Sequence, residues 1–210
     1  MIKTNKIVKN LIVTDIAFWT GWGLITPIFA IFVVDRIEGG NALVVGIATA
    51  VYWLIRSLLV FPFGVMLDKY KGERDDYLFL VAGNLIVALT LFGYVFATLP
   101  WHVYLFQAFC GLGVAMALGG WRSIFTKHID KGKEATEWSL DDTMLSFGTA
   151  GAGVMAGWMV LNFGYQAAFI SAGSLGLLSV AILLFLRHEI GGVFNRNFRS
   201  NLKDIFFDKR

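Results

Sequence analysis

The sequence predicts an all-α integral membrane protein built as a bundle of six transmembrane helices. Its 210 residues are 57% hydrophobic and only 16% charged, more apolar surface than a soluble domain of this size can enclose behind polar cover. The apolar residues fall in six runs, at about 11–34, 42–67, 77–99, 102–125, 139–162 and 165–187. Each supplies the roughly 20 residues that cross the hydrocarbon core as helix. The runs lack sustained period-two alternation, and an open sheet would leave backbone groups unpaired in lipid, so helix is expected throughout.

Taken in order, the first run follows a leader bearing Lys3, Lys6 and Lys9. It lacks the short apolar core and small-residue cleavage site of a signal peptide, so it is expected to be a retained span. The second run ends in a charged, glycine-bounded connector that contains Gly64, Asp68, Lys69, Lys71, Gly72, Glu73, Arg74, Asp75 and Asp76. Pro100-Trp101 joins the third run to the fourth, and Phe163-Gly164 joins the fifth to the sixth. Connections this short make neighbouring spans antiparallel. The fifth helix is expected to begin at Ser139, with Asp142 completing a variant of the capping box and Asp141 and Asp142 at the favourable end of the helix dipole. Residues 1–190 form the transmembrane domain. In 191–210, Arg196, Arg199, Lys203, Lys209 and Arg210 alternate with Phe194, Phe198, Ile205, Phe206 and Phe207, the pattern of a basic amphipathic tail on an anionic leaflet or of a linker.

Lysine and arginine concentrate in the leader, the charged connector, the fourth-to-fifth connector (Lys127, Lys131, Lys133) and the tail, whereas the intervening connectors hold only Arg36. The positive-inside rule therefore places both termini in the cytoplasm of a multi-pass plasma (inner) membrane protein.

Arg56 is the most informative polar residue. Twelve residues separate it from Asp68, which sets it about 18 Å along the helix, near the midplane. A charge at that depth costs about 2.5 to 3.5 kcal/mol on insertion scales, so Arg56 is expected to face a cavity, a carboxylate or a carbonyl. Thr49, Tyr52, Trp53 and Phe63 share its helix, and Asp15, Trp19, Trp22, Thr26 and Phe29 recur at helical spacing on the first. Two such stripes can line one cavity, although plain packing gives the same pattern. Gln107 and Trp121 on the fourth span are further cavity candidates. Arg122 is expected at an inner gate or a lipid headgroup, and Asp15 and Asp142 at a gate or coupling position. The glycines of the fourth and fifth spans suit close helix contact.

No catalytic motif emerges. A phosphate loop, a His-Glu-x-x-His and a Gly-x-Ser-x-Gly are all missing from the sequence. His102, His128 and His188 are too scattered for a metal set, and the lone Cys110 excludes a disulfide framework. Asp68, Asp75 and Asp76 do not fit the magnesium motif of phosphoalcohol transferases. No enzyme activity, cofactor, metal or nucleic-acid partner is expected.

Gly64-x-x-x-Asp68-Lys69, followed by Gly72 and Arg74, resembles the loop between the second and third spans of the major facilitator superfamily. Gly72 comes one residue late, and Glu73 interrupts the basic pair. Gly111-Leu112-Gly113, the glycines of the fifth span, Phe163-Gly164-Tyr165-Gln166-Ala167-Ala168-Phe169 and Pro27 are similar to further features of that family. The resemblance implies a half built from two inverted three-helix repeats, with Gly64, Asp68, Lys69, Gly72 and Arg74 at the cytoplasmic gate. It implies a transporter, or half of one, moving a small polar or amphipathic solute by alternating access. Arg56, Tyr52, Trp53, Trp22, Thr26 and Gln107 would contact the solute. Membrane lipid and a second six-helix half are the expected partners, the half being a homodimer mate, a separate chain or a continuation. In a homodimer, Asp68 would meet the Ser139 helix start of the other copy. A membrane scaffold or accessory subunit is the alternative, and a channel a third reading without a filter motif.

Overall fold

The computed structural model of the chain describes residues 5–69 and 73–190, and every regular element among them is helical. These are α1 (Lys6–Ile25), α2 (Phe29–Arg36), α3 (Ala42–Lys69), α4 (Arg74–Gly93) with a 3-10 turn at Tyr94–Phe96, α5 (Pro100–His128) and α6 (Glu134–Ile190). The expectations for Gly72 and for the tail at 191–210 lie outside the described residues. Among the described residues, four helices are long and apolar enough to cross a membrane, or five if the bent pair α1 and α2 counts as one span. That pair turns by 42° where Pro27 withholds an amide donor and its ring crowds the carbonyl one turn back.

Unbroken, the 57 residues of α6 would reach roughly 85 Å, far beyond any bilayer. Gly164 breaks the helix with φ 81° and ψ 173°, a conformation that only glycine adopts without strain. The two limbs then pack on the same stretch of α1. A Cβ added to Gly21 would lie 2.8 Å from the Ala172 carbonyl oxygen, and one on Gly23 would lie 3.0 Å from the Thr149 Cα. Residues 149 and 172 flank Gly164 on opposite sides, so the chain doubles back there, as the Phe163-Gly164 connection predicts.

Paired contacts fix the remaining directions. Gly83 lies against Gly113 and Ala117, and Gly120 against Asp76 and Leu80, so α4 and α5 run antiparallel. Gly111 meets Tyr52 while Gly119 meets Leu67, so α3 and α5 run parallel. On the second limb of α6, Gly173 meets Phe92 and Gly176 meets Ala88. Farther along, Ser179 accepts from Asn84 at 3.0 Å and the Leu183 carbonyl accepts from the Tyr77 hydroxyl at 2.8 Å, which makes that limb antiparallel to α4. Where glycine stands at these contacts it lets the backbones approach closely, which favours helix packing in lipid.

A buried aromatic group closes the end of the bundle far from the charged connector. Tyr94 stacks on Phe169 at 5.0 Å, Phe32 meets Phe169 edge-on at 4.8 Å, and Phe106 and Tyr165 join them. The Tyr165 hydroxyl donates to Asp35 Oδ2 at 2.8 Å, tying the end of α2 to the residue after the break.

The expected start of the fifth helix at Ser139 is corrected. α6 begins at Glu134, five residues earlier, so Ser139 lies within the helix, where its carbonyl accepts from the Thr143 hydroxyl at 2.6 Å. The start follows a turn at Gly132 with φ 81°, whose amide donates to Glu134 Oε1 at 3.1 Å. The acids at the positive end of the dipole are therefore Glu134 and Glu137, not Asp141 and Asp142.

Candidate functional site

Arg56 sits halfway along α3, half-buried, with its guanidinium 4.7 Å from the centre of the Trp53 ring. The Trp53 ring meets Tyr52 at 5.3 Å, Tyr52 meets Trp22 of α1 at 5.4 Å, and Trp22 meets Trp19 at 6.5 Å. The Tyr52 hydroxyl also lies within electrostatic reach of Arg56 and Cys110. One continuous strip of aromatic rings thus leads from α1 to Arg56 on α3. Gly111 holds the strip against α5: a Cβ there would lie 2.7 Å from the Tyr52 carbonyl oxygen and 3.3 Å from the Arg56 amide nitrogen. Trp53 is 53% exposed, so the strip opens outward on its α3 side. A cation–π contact with Trp53 holds the guanidinium without covering its N–H groups.

Of the expected solute contacts, Trp22, Tyr52, Trp53 and Arg56 lie along this one strip. The exposed Thr26 hydroxyl donates back to the Trp22 carbonyl at 3.1 Å. Gln107 is placed apart from the strip, half-buried and within reach of the Tyr94 hydroxyl in the aromatic core.

The expected gate residues gather at the connector end. Gly64 and Asp68 of α3 and Arg122 of α5 line one cleft, together with Lys127. Lys69 and Arg74 are exposed at the end of α3 and the start of α4.

Asp15 is buried on α1, within hydrogen-bonding reach of Trp19 and electrostatic reach of Asp141. Asp141 is 6% exposed, with its Oδ1 unpartnered among the described residues, whereas Asp142 faces outward. Beside Asp15, a cavity of about 10 Å³, lined also by Trp19, Asn84 and Trp121, has room for about one water molecule.

Sequence reasoning passed over the charged pairs that join α4 to α5. Lys127 Nζ lies 2.6 Å from Asp76 Oδ2, whose side chain is 2% exposed. Glu73 Oε1 lies 3.7 Å from His128 Nε2, and the Asn5 amide donates to the His128 carbonyl at 3.2 Å. Glu137 is wholly buried and accepts the Asp130 amide at 3.0 Å. Outside the spans, backbone amides donating to Glu134 hold its carboxyl below the ordinary carboxylate range. The available signal was the first-turn position of Asp76 and Glu137, which marks helix starts but does not name a partner.

A comparison with curated proteins finds no match. The description Major Facilitator Superfamily fits residues 11–209, nearly the whole chain. With its apolar helices, glycine-seamed contacts and charged connector, the chain belongs to the major facilitator superfamily.

Proposed function

We propose that the chain is one six-span half of a facilitator-type transporter that moves a small polar or amphipathic solute by alternating access. Residues 1–190 form the transmembrane unit of two inverted three-helix repeats. Both termini face the cytoplasm at the plasma (inner) membrane, and 191–210 forms the basic tail or linker. The observation that carries this reading is Arg56, a half-buried cation at mid-helix held against the Trp53 ring at the end of the Trp22–Tyr52–Trp53 strip. Lipid is a poor neighbour for that guanidinium, whereas a solute bearing an anionic or hydrogen-bond-accepting group completes it.

The solute contacts Arg56, Tyr52, Trp53 and Trp22. Thr26 and Gln107 border the site and engage a larger solute after rotamer changes. Gly64, Asp68, Lys69, Gly72 and Arg74 act at the inner gate with Arg122, and the buried acids around Asp15 bias its movement. The opposite wall comes from a second six-helix half: another copy, a separate chain or a continuation of this one. Asp68 does not dock at Ser139 of another copy, because α6 starts at Glu134 and the acids of that first turn would repel it.

The reading is tested by reconstituting the protein in nanodiscs and following its melting temperature across a panel of anionic and polar solutes. A stabilising solute is expected, and its effect should vanish in Arg56→Ala. A second reading, a non-transporting scaffold, draws support from Gly153 and Gly157. They are one turn apart on α6, and a Cβ on either meets nothing within 4 Å. Such a face packs against a partner helix. A panel without any stabilising solute, together with stable capture of a partner helix, would favour the scaffold.

A further inference from the structure

The cleft between α3 and α5 at the connector end has a volume of about 340 Å³, comparable with the smaller ligand sites of proteins. One wall is Val60, Gly64, Leu67 and Asp68, and the other is Gly119, Arg122, Ser123, Thr126 and Lys127. Both sets follow helical spacing, so each is one face of its helix. The polar groups Asp68, Arg122, Ser123, Thr126 and Lys127 gather toward the ends of the two helices, at Lys69 and His128. Val60 and the two glycines lie deeper in the bundle. Gly64 helps keep the cleft open, since a Cβ there meets nothing within 4 Å.

We propose that this cleft binds a glycerophospholipid, with the phosphate at Arg122, Ser123 and Thr126 and an acyl chain along Val60, Gly64 and Gly119. Arg122 is exposed and has no ion pair or hydrogen bond with another described residue, so its N–H groups are open to an anion. Lys127 already closes on Asp76 and adds a positive field. Asp68, across the cleft, selects by charge. It tolerates a singly charged phosphodiester, but opposes free inorganic phosphate, which is partly dianionic at neutral pH. The sequence of polar mouth and apolar depth matches a lipid entering from the headgroup layer, where arginine and lysine at helix ends meet phosphate. The cleft shares Gly64, Asp68 and Arg122 with the inner gate proposed above, but lipid binding there requires no transport activity and is read separately from it.

The test is native mass spectrometry of the full chain in mild detergent, titrated with phosphatidylglycerol. A one-to-one lipid adduct is expected, with apparent affinity lowered about tenfold in Arg122→Gln, the loss of one charge-assisted contact. Gly64→Leu should lower it similarly by filling the cleft, and Arg36→Gln, at the other end of the bundle, should not. Millimolar inorganic phosphate should not displace the lipid. Adducts of unchanged affinity in Arg122→Gln would overturn the proposal, as would displacement by inorganic phosphate, which would make the cleft a free-anion site. If Gly64→Leu lowers the melting temperature, Arg122→Gln, at an exposed position, decides alone.

Discussion

Gly111 on α5 lies against the backbone of Tyr52 on α3 so closely that a Cβ added to it would stand 2.7 Å from the Tyr52 carbonyl oxygen. This contact sets the height and rotation of the helix that carries Arg56. Gly111→Ala is therefore expected to push α3 away and destabilise the protein by about 1 to 3 kcal/mol, the usual cost of overpacking. Gly151→Ala, where a Cβ meets nothing within 4 Å, is the control and should be neutral or slightly stabilising. Unfolding in detergent, followed by tryptophan fluorescence, measures both.

The Asp76–Lys127 pair predicts a rescue. Lys127→Met removes the cation from a carboxylate that is 2% exposed and whose Oδ1 has no other partner among the described residues. The expected loss is about 1 to 3 kcal/mol, the range for a buried polar group left unsatisfied. Asp76→Asn in the same chain should restore most of that loss, because an amide needs no counter-charge. A double-mutant cycle on unfolding free energies tests the coupling, and additive losses would refute it.

The turn before α6 predicts a small pH effect. The Glu134 carboxyl is held below its ordinary range by backbone amides, so its contribution is present above the ordinary carboxylate range and is lost as pH falls through the lowered folded-state value. Glu134→Gln should lower the melting temperature slightly at neutral pH, and the difference from the parent should shrink under acid. A difference that grows in acid would contradict this sign.

The bare glycines of α6 predict a partner. Gly157→Leu should leave the isolated chain folded, since a Cβ there meets nothing within 4 Å, but should weaken association with a second half. Analytical ultracentrifugation in detergent would show this as a shift toward the monomer, and an unchanged distribution would exclude that face from the interface.

Much of this architecture was legible in the sequence for identifiable reasons. Apolar run length marks spans, Gly164 marks a reversal, and helical spacing puts Tyr52, Trp53 and Arg56 within one turn or so of each other. What escaped had equally physical causes. Hydropathy finds where lipid-compatible residues begin, not where hydrogen bonding begins, so it points to Ser139 although α6 starts at Glu134. Periodicity assigns faces within one helix but not the neighbour each face meets. It did not foresee that Asp141 turns inward near Asp15 while Asp142 faces out, or that Gln107 reaches Tyr94 rather than the arginine.

Solute binding at Arg56, where the Trp22–Tyr52–Trp53 strip ends, is the proposed role that ligand-dependent stability of reconstituted protein tests most directly. A solute that raises the melting temperature of the parent should lose its effect in Arg56→Ala and keep part of it in Arg56→Lys, while Gln107→Ala changes it less. A solute shift of full size in Arg56→Ala would contradict the account.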